Sequence, residues 1–232
     1  RHVFTHAINT GVILPTENPF GIGKVSIPEP KRRTKKFNLT AEQIEALAKV
    51  EASGYEEQLA KDVFFFLFMF DGIRISDMYA LEKEWIVEDD LGKRIDFDPV
   101  KTEGRSSKEG EVWITEQMEE IIAKYLGEGK YVFNFLKDEM TVEEITKYRA
   151  AKTSVINKNL KKLALKIEGM PSLSTKHARY SAASYIKRKT KASTQEISEL
   201  MVNSPKMAQG YIDTPEEKKA MQEVLSEVLK KT

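Results

Sequence analysis

The sequence predicts an α+β domain that is mainly helical and carries a small three-stranded antiparallel sheet at one edge. Three observations lead to this fold class. Several long stretches place apolar residues three and four positions apart, as the buried face of a helix requires. Three short runs of β-branched and aromatic residues fall close together between Glu84 and Thr115. The chain of 232 residues is 41% hydrophobic, enough to bury one large core.

The first predicted elements are a helix over residues 1–12 and the linker that follows it. The stretch "LPTENPFGIGKVSIPEPKRRTKK" contains four prolines and ends in a basic run, which is typical of an extended linker. The helix is therefore assigned to a preceding domain. The main domain is expected to begin with the helix of "NLTAEQIEAL", where Thr40 and Gln43 have the spacing of a capping box.

The central elements follow in order along the chain. The apolar run "VFFFLFMF" is far shorter than the roughly 20 residues that cross a bilayer, so it predicts a central buried helix. A turn and a short helix are expected in "DGIRISDMYAL". The predicted strands are "EWIVED", "RIDFDPV" and "EVWIT", with the polar loop "KTEGRSSKEG" between the last two. The later predicted helices are "TEQMEEIIAKYL", "TVEEITKYRAAKTSVINKNLKKLALKIEG", "STKHARYSAASY", "STQEISELMV" and "EEKKAMQEVLSEVLKKT".

The composition restricts the possible functions. There is no cysteine, so disulfides and thiolate metal sites are excluded and a reducing compartment is favoured. His2 and His6 have a spacing that can bind a metal ion, but no third ligand lies near them, so no metal centre is predicted. No secretory signal or membrane span is predicted either.

The charge is unevenly distributed although the formal net charge is only +1. Residues 147–191 contain thirteen Lys and Arg against one acidic residue, Glu168, which gives +12 and leaves about −11 for the rest of the chain. A basic segment of this kind attracts phosphate backbones through counterion release. A solvated helix surface is the alternative interpretation.

Polar residues that are suited to catalysis occur in a definite order along the chain. Arg74 follows a glycine turn and has Asp77 three residues later, where it can hold the arginine side chain. Arg179 lies among small residues, which predicts a helix face that other groups approach closely. Two arginines, an intervening lysine and a late tyrosine in this order indicate phosphoryl transfer. The lysine is Lys101 and the tyrosine is Tyr211, and Lys176 lies one helical turn before Arg179.

These motifs resemble the catalytic domain of the tyrosine recombinases, the phage-integrase family, and especially the integrases of bacterial mobile elements. The matching boxes are "GIRISD", "VKTEG", "KHAR" and "QGY". The resemblance covers residues 38–215. It implies that residues 1–37 are the end of a core-binding domain helix plus the interdomain linker, and that residues 216–232 form a C-terminal amphipathic helix.

The resemblance implies a role for each residue. Arg74 and Arg179 would clamp the scissile phosphate, because the planar guanidinium group stays charged and can grip two oxygens. Tyr211 would attack phosphorus and form a 3'-phosphotyrosyl link, with no ATP, metal or other cofactor. Lys101 would protonate the leaving 5'-oxygen, and Lys108 in the same loop is the second candidate for this role.

Two positions depart from the family pattern. Lys176 stands where histidine is most common, and His177 lies about 100° around the helix, so it is expected to point elsewhere. Asn203 stands where the family has histidine or tryptophan, and its spacing to Tyr211 is one residue short. Asparagine can donate a hydrogen bond to phosphate but cannot titrate, so slow chemistry is a possible consequence.

The resemblance also implies partners and a location. The expected partner is double-stranded DNA at attachment-type sites, with self-association as a synaptic tetramer, no membrane contact and a cytoplasmic, nucleoid-associated location in bacteria. The tail could dock on its own domain or on a neighbouring protomer. The alternatives are a catalytically weak or inactive DNA-binding accessory protein of this fold, a helical scaffold without a DNA role, and a related type IB topoisomerase.

Overall fold

The computed structural model describes residues 2–20, 38–97, 110–190 and 193, and the chain divides into two compact units, Arg1–Lys36 and Phe37–Thr232. In the first unit, helix α1 covers His2–Asn9. It ends before residue 12, where the sequence analysis placed its end, because Gly11 adopts a φ of 72°. The N–H of Val12 then donates to the carbonyl of Ala7 at 2.8 Å, which closes the helix end.

The described part of the second unit is mainly helical, as predicted. Its first helix begins with the predicted capping box: the N–H of Gln43 donates to Thr40 Oγ1 at 3.3 Å, and the N–H of Thr40 donates to Gln43 Oε1 at 3.0 Å. The helices are α2 (Ala41–Lys49), α3 (Tyr55–Met69), α4 (Ile75–Met78), α5 (Glu116–Tyr125), α6 (Val142–Leu165) and α7 (Thr175–Thr190).

Helix α3 forms the centre of the core, which confirms the prediction from its apolar run. It packs against α5, α6 and α7, and every side chain from Asp62 to Met69 is buried. Edge-to-face aromatic contacts connect α3 to later parts of the chain. The ring centroids of Phe66 and Phe133 lie 4.8 Å apart, and those of Phe68 and Tyr185 lie 6.0 Å apart. Burial of each such side chain contributes on the order of 2 kcal/mol.

The predicted three-stranded antiparallel sheet is present. Strands β1 (Ile86–Asp89), β2 (Gly92–Phe97) and β3 (Gly110–Trp113) pair in the order β1-β2-β3. The first strand starts two residues later than predicted, because Lys83–Trp85 forms a 3-10 turn. Phe97 lies opposite Gly110, and a side-chain carbon at Gly110 would collide with the Phe97 ring. Only glycine fits at this position.

The segment between α5 and α6 is irregular rather than helical. Two isolated bridges hold it, one between Glu82 and Tyr131 and the other between Leu126 and Phe133. Val132 is fully buried, so this segment closes one side of the core. Among the residues described, no helix is both long and apolar enough to cross a membrane.

Candidate functional site

A tight turn at the end of α3 positions the first arginine. Asp71 has a φ of 52° and Gly72 a φ of 65°, and the N–H of Ile73 donates to the carbonyl of Phe70 at 3.0 Å. Positive φ at both central residues defines a type I′ turn, which the Asp-Gly pair favours. The reversed chain then places Arg74 directly before α4, with an extended backbone.

Asp77 holds the side chain of Arg74 from within α4. The Arg74 Nη1 atom lies 3.7 Å from Asp77 Oδ2, the pairing that their spacing of three residues predicts. Asp77 is 3% exposed and Arg74 is 28% exposed. The guanidinium group is therefore anchored on its inner side while part of it stays open to solvent.

The second arginine reaches the same turn from α7. Arg179 Nη1 donates a hydrogen bond of 2.7 Å to the carbonyl oxygen of Gly72, across 107 positions of sequence. Burial, followed by the positive charge of Arg74, lowers the pKa of Arg179 to about 10, and the charge of Asp77 acts in the opposite direction. Arg179 therefore stays charged at neutral pH, and its charge and that of Arg74 repel each other.

The small residues around Arg179 serve packing within the domain. Ser181 Oγ accepts a hydrogen bond of 2.9 Å from the N–H of Leu39, and Ser184 Oγ accepts one of 2.6 Å from Asn38 Nδ2. Ala178 and Ala182 are fully buried. The close approach that the sequence predicts on this helix is therefore made, on the Ser181 side, by the chain at residues 38–39.

The start of α7 carries the other predicted residues. Lys176 is exposed one turn before Arg179, whereas Tyr180 is half-buried. The Nδ1 atom of His177 accepts a hydrogen bond of 2.9 Å from the N–H of Ser174, so its side chain is directed back along the helix, in agreement with the expectation that it points elsewhere.

Two residues of this arrangement were missed in the sequence analysis. Gly72 supplies the carbonyl that receives Arg179, and Asn157 on α6 accepts the N–H of Thr175 at 2.9 Å. The Asp-Gly pair signals a tight turn but not which side chain binds its carbonyl. No local pattern marks Asn157, because its partner lies 18 positions away.

The sheet adjoins the arginine turn. The ring of Phe97, at the end of β2, lies 5.4 Å from the ring of Phe70, which directly precedes the turn. Strand β2 therefore ends beside the turn that precedes Arg74. The remaining predicted positions lie outside the described residues: Lys101, Lys108, Asn203, Tyr211 and the tail 216–232.

The basic segment is partly neutralised by local ion pairs. Lys147 lies 2.8 Å from Glu143 and Lys166 lies 2.7 Å from Glu57. On α6, between these two pairs, Lys158, Lys161 and Lys162 are exposed. The formal +12 of this segment therefore overstates the positive charge that it presents to a partner.

No protein-family model matches the chain, and no curated protein matches it. Within the described ranges, no three or more His, Asp or Glu side chains are grouped so that they could hold a metal ion. Any functional assignment therefore depends on the two arginines, their surroundings and the sequence motifs.

Proposed function

We propose that this chain is the catalytic part of a tyrosine recombinase, with that family's catalytic fold, and that it cleaves and rejoins DNA through a 3'-phosphotyrosyl intermediate. The observation that carries the proposal is the convergence of Arg74 and Arg179. Arg179 binds the carbonyl two residues before Arg74, and Asp77 pairs with Arg74 at the same place. The motifs "GIRISD" and "KHAR" thus meet in space.

Two neighbouring guanidinium groups suit the chemistry of a phosphodiester. Attack on phosphorus adds negative charge to the nonbridging oxygens, and fixed cationic donors stabilise that charge. Burial and then repulsion from Arg74 lower the pKa of Arg179, and a bound phosphate relieves that repulsion. The solvent-exposed part of the Arg74 side chain gives the phosphate access.

Tyr211 is the nucleophile of the covalent step. The Tyr211 hydroxyl gives its proton to water and its oxygen forms a bond to phosphorus, while the bond from phosphorus to the 5'-oxygen breaks and Lys101 gives the departing oxygen its proton. The phosphotyrosyl bond keeps the energy of the broken link, so a second 5'-hydroxyl can reverse the reaction without ATP. Lys176 and Asn203 act as additional donors to the phosphate.

The proposed partners follow from this reaction. Strand exchange requires two duplexes and several protomers, so we place the chain on attachment-type DNA sites as a tetramer, in the bacterial nucleoid. The exposed lysines on α6 supply nonspecific attraction to the DNA backbone.

The test is a denaturing gel that detects covalent adducts between protein and DNA. The chain is incubated with nicked duplexes that span candidate junctions, as wild type, Tyr211→Phe and Tyr55→Phe. Tyr55 is a matched control because it is 65% exposed at the start of α3. We expect a protease-sensitive adduct with wild type and Tyr55→Phe, and none with Tyr211→Phe.

Two other results would contradict the proposal. An adduct that still forms with Tyr211→Phe would show that another residue is the nucleophile. No adduct from wild type, despite tight and salt-sensitive binding to the same duplexes, would favour the catalytically inactive DNA-binding protein instead.

A further inference from the structure

We propose that His177 and Asn157 are positioning residues that fix the start of α7 and thereby place Lys176 and Arg179. The inference rests on the proposed function and extends it to two residues to which the resemblance assigns no role. It starts from a general property of helices: the first four N–H groups have no partner within the helix and need one elsewhere.

His177 binds the residue that precedes α7 in both directions. Its Nδ1 atom accepts the N–H of Ser174 at 2.9 Å, and its own N–H donates to the carbonyl of Ser174 at 2.9 Å. In a capping box, the side chain of Glu or Gln at the third helical position accepts the N–H of the residue before the helix, and here the His177 ring takes that part. The pattern S-x-x-H therefore fixes how the chain enters the helix.

Asn157 ties the same helix start to α6. Its Oδ1 atom accepts the N–H of Thr175, the first residue of α7, at 2.9 Å. Thr175 is buried, so this N–H has little access to water as a substitute partner. Lys176 thus lies between two anchored residues, Thr175 and His177.

The anchors matter for catalysis because Arg179 lies within the first five residues of the helix. Its Nη1 atom must reach the carbonyl of Gly72, and a displacement of about 1 Å at a reacting site can cost roughly a hundredfold in rate. A frayed helix start would move Lys176 and Arg179 together.

The His177 anchor requires an unprotonated Nδ1 atom. Burial lowers the pKa of His177, the hydrogen bond with the backbone of Ser174 acts in the opposite direction, and the charge of Lys176 adds to the lowering. The ring of Tyr180, a titratable group, lies 6.4 Å from the ring of His177, while Asn157, the α6 residue that binds this helix start, is uncharged. Since the folded pKa lies below the ordinary value of about 6.5, the anchor is complete above that value and is lost as the pH falls through the folded pKa.

The first measurement is amide hydrogen exchange by NMR, which does not depend on activity. His177→Leu is expected to raise the exchange rate at Ser174 by about tenfold or more, and Asn157→Ala to do so at Thr175, because each amide loses its acceptor. His177→Asn keeps an oxygen acceptor near the position of Nδ1 and should preserve protection at low pH. The start of α6, capped by Thr141 and Glu144, is the internal reference. Unchanged protection in both loss variants would overturn the inference.

The second measurement is the single-turnover rate of adduct formation at saturating DNA, between pH 5 and pH 8. We expect His177→Leu to be at least about tenfold slower, with DNA affinity within about twofold of wild type. Between pH 7 and pH 5, the wild-type rate should fall more steeply than that of His177→Asn. A His177→Leu protein whose helix start exchanges freely but which cleaves at the wild-type rate would overturn the positioning role. If wild type forms no adduct at any pH, the proposed function fails and the catalytic part of this inference fails with it, while the exchange data still decide whether the anchor exists.

Discussion

The two arginines of the candidate site are held in different ways. Arg74 depends on its neighbours in sequence, since the turn at residues 70–73 sets its backbone and Asp77 pairs with its side chain. Arg179 depends on distant partners, since it binds Gly72 and its helix is anchored through Asn157. The Arg74 side of the site is therefore preformed locally, whereas the Arg179 side requires the complete domain fold.

The largest expected effect is that of Arg179→Lys, which tests the side held by distant contacts. Lysine keeps the charge but loses the planar fork, so adduct formation should slow by about 10² to 10³, the usual cost of removing one donor to a developing anion. Arg188→Lys is the matched control, because Arg188 is exposed on the same helix and donates to the carbonyl of Leu39. Equal rates for the two variants would contradict a role for Arg179 at the phosphate.

Ser181→Ala tests the attachment of α7 to residues 38–39. It leaves the N–H of Leu39, a fully buried residue, without its acceptor, which should cost about 2 kcal/mol of unfolding free energy. Ser184→Ala is the milder counterpart, because the bond between Ser184 and Asn38 is exposed, and we expect less than about 0.5 kcal/mol. Denaturant titration of both variants measures the difference, and a reversed order would show that this buried bond is not what holds the two segments together.

Asp77→Asn tests the side of the site at which Arg74 is held by its neighbours in sequence. Without the carboxylate, Arg74 loses its anchor, and adduct formation should slow by about tenfold although DNA affinity does not weaken. Glu143→Gln removes the same charge from an exposed pair with Lys147 and should leave the rate unchanged. If the two variants behave alike, net charge rather than the position of Arg74 explains the effect.

Gly72→Ala tests the turn that both arginines use, and it has the smallest expected effect. Gly72 has a φ of 65°, so alanine should cost about 1 kcal/mol of stability. Gly169→Ala is the control for backbone strain, because Gly169 has a φ of 70° but is exposed, whereas Gly72 is buried. Both variants should unfold at a lower temperature, Gly72→Ala by at least as much as Gly169→Ala, and only Gly72→Ala should also slow adduct formation, by a fewfold.

The same division decides how much the sequence could predict. The pairing of Arg74 with Asp77, the capping box of Thr40 and the three strands follow from spacings of a few residues, which local patterns record. The bond from Arg179 to Gly72 joins residues 107 positions apart, and no periodicity in the sequence encodes it.

Local signals were also misjudged in two places. Gly11 ends α1 at Asn9, although the apolar pattern continues to residue 12. His177 was expected only to point away from the site, because histidine is not a usual member of a capping box. The roles of Lys101, Asn203 and Tyr211 remain predictions from the motifs.

The central claim is that Arg74 and Arg179 act together on one phosphate. A double-mutant cycle tests it most directly, with the single-turnover rate of adduct formation measured for wild type, Arg74→Lys, Arg179→Lys and the double variant on one nicked duplex. If both arginines bind the same phosphate, each single variant loses about 10² to 10³ in rate and the double variant loses far less than the product of the two. Losses that multiply, or single variants that cleave at the wild-type rate, would contradict it.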